Sequence, residues 1–132
     1  MLDSIATKQQ PAPSGDGIIV LEQVLRRLRA MEENRSLGPI AYISLVKDLK
    51  DRAEMGFKKY GTYLRTNNGR DPQVDMYQEL LDALMYSTQA LLEGNKLAEV
   101  FFDVLVALSA QMAYQLREVT ECTEKRSTPS AE

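Results

Sequence analysis

DPQVDMYQELLDALMYSTQALLEG, residues 71–94, reads as one helix from cap to stop. Asp71 is placed to accept hydrogen bonds from the first backbone N–H groups, and Pro72 suits the first helical position because its missing N–H is not needed there. Gly94 ends the run. At about 100° per residue, Val74, Tyr77, Leu80, Leu81, Leu84, Leu91 and Leu92 gather on one side. Asp75, Glu79, Asp82 and Tyr86 gather on the other, at spacings of 4, 3 and 4. A helix with one apolar side lays that side against another element.

The flanking sequence continues the helical pattern and carries no strand signal. Upstream, Ile18, Leu21, Val24, Leu25 and Leu28 recur at helical spacing, predicting a helix from Gly17 to Asn34 with Asp16 as its N-cap. Pro39 suits the first turn of a second helix that runs to Tyr60 and stops at Gly61. Residues 61–71, with Asn67-Asn68-Gly69, read as a loop. Downstream, Asn95 is placed to cap a fourth helix reaching Glu121. Short connections predict an antiparallel four-helix bundle-like domain over residues 17–121, with a disordered arm over 1–16 and a flexible tail over 122–132. The predicted fourth helix carries Phe101, Leu105, Leu108, Met112 and Leu116 in one stripe, and Val100, Phe102, Val104, Val106 and Ala113 beyond it. A helix apolar on most sides needs cover on most sides. The expectation is a homo-oligomer, dimer or tetramer, that completes the bundle.

Composition removes several function classes. The chain has 132 residues, no histidine and one cysteine. That excludes a Ser-His-Asp triad, a Cys-His pair and a His-ligated zinc site. A lone Cys122 forms neither an intrachain disulfide nor a Cys-rich metal site, which fits a reducing compartment. With 16 basic and 19 acidic side chains, the net charge of −3 gives no support for a nucleic-acid polymer as partner. Arg26, Arg27 and Arg29 read as a solvated face. No apolar run approaches the roughly 18 residues of a membrane span, and no targeting segment is visible, so a cytoplasmic location is expected. Any metal must take oxygen ligands, which points to magnesium or manganese.

The candidate chemistry lies in carboxylates. Asp75, Glu79 and Asp82 on one stripe repel one another, and like charges at this spacing destabilise a helix by a few tenths of a kcal/mol per pair. Either water solvates the stripe, or a divalent cation uses its oxygens; Met76, Ala83 and Met85 beside it suggest a half-buried face. If the second and third helices pair antiparallel, counting back from the loop puts Asp51 and Glu54 at the height of Glu79 and Asp82. Asp51 lies well off the apolar stripe of its helix and Glu54 on its flank, so each is either a ligand or a surface residue, and Asp48 is a rival. Lys58, Lys59, Arg65 and Arg70 cluster at the end of the second helix and in the loop. Carboxylates beside such cations describe a polyphosphate site; the bland alternative is a charged, solvated loop. Asn67, Asn68 and Tyr63 are available to a base or sugar. Gly56 leaves room for close helix approach or a ligand. Asp103, a carboxylate inside an apolar run, stays open.

Residues 52–93, and especially Lys59-Tyr60-Gly61-Thr62, Asn68-Gly69-Arg70-Asp71 and Glu79-Leu80-Leu81-Asp82, resemble the all-α NTP pyrophosphohydrolase superfamily, the MazG-like enzymes. The family signature is an ExxE pair on one helix and ExxD on the next. Glu79 and Asp82 match the second half, with the aromatic Tyr86 one turn on. Asp51 and Glu54 give DxxE for the first, with 24 residues intervening before Glu79. The loop elements are most similar to small phage-encoded members, the MazZ-type dATP/dGTP pyrophosphohydrolases. The resemblance implies hydrolysis of the α–β bond of a nucleoside triphosphate, most of all a purine dNTP, to monophosphate and pyrophosphate. It implies magnesium or manganese held by Asp51, Glu54, Asp75, Glu79 and Asp82, with Glu54 or Glu79 orienting or deprotonating water. Lys58, Lys59, Arg65, Asn68, Arg70 and Tyr86 are then the substrate contacts, and a phage-encoded chain acts in the host cytoplasm. Two other readings stand beside this one: a non-catalytic helical oligomer that regulates or assembles, and a phosphoribosyl-ATP pyrophosphohydrolase on the same scaffold.

Overall fold

A computed structural model of the chain describes residues 4–127, apart from the side chains of 119–121 and 127. It contains four α-helices: α1 (Val20–Glu33), α2 (Pro39–Tyr60), α3 (Pro72–Leu92) and α4 (Ala98–Ser127), with a 3-10 turn at Ile5–Thr7. Among the described residues there is no strand, only an isolated antiparallel bridge between Ile19 and Arg65. The chain divides into two compact units, one of Gln10–Arg70 and one of the residues up to Gln9 together with those from Asp71 onward. No described helix is long and apolar enough to cross a membrane.

In the first unit α1 packs on α2. Their facing stripes are aliphatic: Leu21, Val24, Leu25 and Leu28 on α1 and Val46, Leu49 and Ala53 on α2 are half-buried. Both ends of α2 follow from local chemistry. Pro39 opens it, and Gly61 closes it at φ 72°, with its N–H on the Phe57 carbonyl at 2.7 Å. Lys58 and Lys59 in the last turn suit the negative end of the helix dipole.

The start of α1 differs from expectation. The helix begins at Val20, not Gly17, and Asp16 does not cap it. Residues 17–20 run extended along the loop that follows α2. The Val20 N–H donates to the Leu64 carbonyl at 2.9 Å, and Thr66 N–H returns a bond to the Ile18 carbonyl at 2.9 Å. The Ile18 N–H donates to Thr66 Oγ1, also at 2.9 Å. The loop satisfies these N–H groups, and α1 then starts from Ile19 with no side-chain cap hydrogen bond. The contact is so close that a Cβ on Gly17 would lie 2.1 Å from the Thr66 carbonyl oxygen. Within the stretch expected as a disordered arm, backbone contacts to the loop are present. Ser14 donates its N–H to the Asn68 carbonyl at 3.0 Å.

In the second unit α3 packs on α4. Asp71 caps α3 as the sequence predicts, its carboxylate accepting from Gln73 N–H at 2.9 Å and Val74 N–H at 3.4 Å. Gly94, at φ 100°, ends the helix. The Gln78 amide donates to the carbonyls of Ile5 and Lys8 at 3.0 and 2.9 Å and holds the 3-10 turn on α3. Asn95 accepts from Leu97 N–H but caps only a turn; α4 starts at Ala98. It continues through Ser127, so residues 122–127 of the expected tail are helical. The seam also departs from expectation. Ala98, Ser109, Met112 and Leu116 are its buried α4 residues, with Leu105 half-buried, while Phe101 and Leu108 face outward. Small side chains at Ala98, Ser109 and Ser87 set the approach of the two helices.

Two glycine substitutions test this geometry in opposite directions. Gly17→Ala is expected to destabilise the chain by about 1–3 kcal/mol, because the loop backbone must move to admit the methyl group. Gly56, inside α2, meets no atom within 4 Å when a Cβ is built on it, so Gly56→Ala is expected to stabilise by up to about 1 kcal/mol. Urea titrations followed by helical circular dichroism measure both. A Gly17→Ala chain as stable as the wild type would contradict the close contact at Gly17.

Candidate functional site

The acidic stripe of α3 lies where its helical register places it. Asp75 stands in the first turn, where the helix dipole favours a negative group, and is half-buried. Glu79 and Asp82 follow on the same face and are exposed, and among the described residues neither has an ion-pair partner. The expected shielding by Met76 and Met85 is corrected: both methionines are themselves more than half exposed, so they do not close over the carboxylates. Tyr86 is exposed one turn further on.

The α2 carboxylates belong to the other unit and have partners of their own. Asp51 pairs with Lys47 four residues earlier, Nζ to Oδ2 at 2.5 Å, with both side chains largely in solvent. The hydrogen bond to Asp51, and then its charge, hold the Lys47 ammonium above its ordinary value of 10.5; slight burial opposes this and Asp48 adds to it. Glu54 is exposed and accepts a hydrogen bond at Oε1 from the Tyr63 hydroxyl. The Tyr63 ring lies against Phe57, with centroids 4.8 Å apart and planes at 34°. That hydrogen bond, then burial, then the Glu54 charge raise the Tyr63 phenol above its ordinary value of 10.0.

The basic candidates divide into two groups. Lys58 and Lys59 are exposed at the end of α2, with Lys59 Nζ 5.0 Å over the Tyr60 ring. Arg65 and Arg70 are turned to backbone instead: Arg65 Nη1 donates to the Gly17 carbonyl at 2.9 Å, and Arg70 Nη1 to the Pro11 carbonyl at 2.7 Å. Asn68 is buried, its carbonyl accepting from Ser14 and its side-chain Oδ1 from the Arg70 N–H at 3.1 Å. Arg65, Asn68 and Arg70, expected as substrate contacts, also fasten residues 11–18 to the loop. Sequence reasoning gave these arginines to a phosphate because Lys and Arg near carboxylates look alike whatever they bond. The missed partners are Gly15, Gly17 and Thr66. Their signal was the run of small residues Ser14-Gly15-Asp16-Gly17, which admits close backbone approach.

These donors bear on the cation that the resemblance implies. Among the described residues, no group of three acidic or cysteine side chains is gathered in a ready chelate. Glu79 and Asp82 nevertheless offer uncompensated oxygen donors one turn apart, the type that magnesium and manganese take. Asp51 offers a carboxylate already neutralised by Lys47, and fits less well. Elsewhere in the second unit, an open depression of about 600 Å³ is lined mainly by Leu84, Met85, Thr88, Leu92 and Phe102; it is apolar and has no phosphate-binding chemistry. No family model matches the chain, and neither do any curated proteins or solved structures.

The Tyr63–Glu54 bond has a pH signature. The folded phenol stays neutral to higher pH than the unfolded one. Its contribution to stability is therefore complete below 10.0 and lost as pH rises through the higher folded value. Ultraviolet titration of tyrosinate is expected to show a late-ionising phenol in the native chain that ionises at lower pH in Glu54→Ala. An unchanged titration curve in that variant would rule out the bond in solution.

Proposed function

We propose that this chain is a metal-dependent nucleoside triphosphate pyrophosphohydrolase, acting on purine dNTPs (dATP or dGTP) and releasing the monophosphate and pyrophosphate. One observation carries the reading: Glu79 and Asp82 are exposed, one turn apart, on a helix that contains three acidic side chains and no basic one. Their spacing is the ExxD of the MazG-like resemblance. The same resemblance assigns Asp51, Glu54 and Asp75 to the cation set.

In the reaction, water attacks the α-phosphorus, the bond from that phosphorus to the α–β bridging oxygen breaks, and pyrophosphate leaves. Magnesium or manganese, when bound, polarises the phosphoryl oxygens and makes water more acidic. Glu79 and Asp82 supply the hard oxygen ligands. Glu54 or Glu79 accepts the proton released by the attacking water. Lys58 and Lys59, exposed and unoccupied by carboxylates among the described residues, neutralise the departing phosphates. Arg65, Asn68 and Arg70 act one step back, by holding the loop. A chain with no histidine performs this chemistry without a covalent intermediate. The proposed place of action is the cytoplasmic nucleotide pool, that of the host if the chain is phage-encoded, and the proposed working form is a homo-oligomer.

A second reading has its own observation. Val100, Phe101 and Val104 on α4, with Leu92 and Leu97 before it, are more than half exposed. A non-catalytic helical oligomer that regulates or assembles needs no more than this surface.

Turnover separates the two. Each dNTP and NTP is incubated with the purified chain and magnesium or manganese, beside Glu79→Ala and Asp82→Ala. The expected result is monophosphate and pyrophosphate from a purine dNTP, with turnover falling by about 100-fold or more in each variant. No turnover of any nucleotide with either metal would leave the oligomer reading in possession.

A further inference from the structure

The loop after α2 carries, near its start, a tyrosine whose hydroxyl meets a carboxylate already placed in the reaction, and this deepens the pyrophosphohydrolase reading on which it rests. Gly61 turns the chain back at the end of α2 through its positive φ. Tyr63 then returns over the last turns of that helix, its ring against Phe57 and its hydroxyl on Glu54 Oε1. The backbone on its far side is fixed by the pairing of Leu64 and Thr66 with Val20 and Ile18. An exposed glutamate ordinarily samples several rotamers, and ordering one costs free energy. Here a half-buried phenol, itself held by a ring stack and a two-stranded clasp, supplies that order. It takes one oxygen only. Glu54 Oε2 has no partner among the described residues.

We infer that Tyr63 is a positioning residue for Glu54: it binds Oε1 and thereby presents Oε2 to the water or cation of the reaction. Carboxylates that serve a metal or a reacting water are commonly held by such outer hydrogen bonds, and removing one typically costs about 10–100-fold in activity or metal affinity. Phe57 acts one step further out, by holding the ring.

The test is a kinetic double-mutant cycle on the full chain, with dATP and dGTP and with magnesium. Tyr63→Phe keeps the ring stack and removes only the hydroxyl. It is expected to lower kcat about 10-fold with KM for the nucleotide unchanged. Glu54→Asp draws the carboxylate back from the hydroxyl, and in that background Tyr63→Phe is expected to cause no further loss. Phe57→Leu, which loosens the ring without touching the hydroxyl, is expected to give a smaller fall in kcat that also vanishes with Glu54→Asp. Equal losses from Tyr63→Phe in both backgrounds would mark a merely structural role and overturn the inference. So would a Tyr63→Phe enzyme with wild-type kcat while Glu79→Ala is inactive. A wild-type chain that turns over neither nucleotide overturns the functional reading itself, and the inference with it.

Discussion

Two helices packed as a pair cover one stripe of each other and no more. Each unit of this chain is such a pair, and the consequences run through the molecule. The seam of the second unit is closed by Val74, Ala98, Met112 and Leu116, each less than a tenth exposed, with Ser87 and Ser109 as small residues between them. Everything apolar outside that stripe is left without cover from its own pair. Burying a leucine or phenylalanine side chain contributes about 1.5–3 kcal/mol, so Phe101, Val104 and Leu92 represent stabilisation the single chain does not collect. This is the physical basis for proposing self-association: α4 is apolar on more sides than one helical partner can reach.

The second constraint is backbone satisfaction at the junction of α2 and the loop. Residues 14–20 and 64–68 run alongside each other too briefly to count as strands, yet their polar groups are largely paired. Polar side chains complete the pairing, and that is where Arg65, Asn68 and Arg70 go. The electrostatic resources of the loop are spent on its shape, and its shape delivers Tyr63 to Glu54. Lys58 and Lys59, in contrast, are exposed on the last turn of regular helix and take no part in that pairing.

What was legible in the sequence was whatever depended on neighbours a few residues away. Asp71, Pro72 and Gly94 bound α3 as read, and Pro39 and Gly61 bound α2, because caps, proline at the first turn and a left-handed glycine are local devices. What was not legible depended on contacts between distant residues. Asp16 looks like a cap until the loop some 50 residues away claims the N–H groups it would have served. Phe101 and Leu108 look like the seam of α4, because hydrophobicity ranks them above Ala98 and Ser109; the packed stripe uses the smaller residues because they let the helices approach. In the candidate site, the stripe of Asp75, Glu79 and Asp82 was readable from spacing alone. The partners of Asp51 and Glu54 were only half readable: Lys47 is a local neighbour of Asp51 on the same helix, whereas Tyr63 reaches Glu54 only because of the turn at Gly61.

The contrast between α2 and α3 is the strongest argument about chemistry. Along α2, acidic Asp48, Asp51 and Glu54 are interleaved with Lys47, Lys50, Arg52, Lys58 and Lys59. An ion pair such as Lys47–Asp51 is then the ordinary outcome, and surface pairs of this kind say little about function. Along α3 there is no such interleaving: its three charges are all negative and share one face. Solvent and salt screen that repulsion, so the helix tolerates it, but tolerance does not explain why no lysine or arginine falls anywhere in 21 residues. A basic side chain one turn away would occupy the very oxygens a divalent cation needs, as Lys47 does at Asp51. Glu79 and Asp82, unlike Asp51, have no ion-pair partner among the described residues.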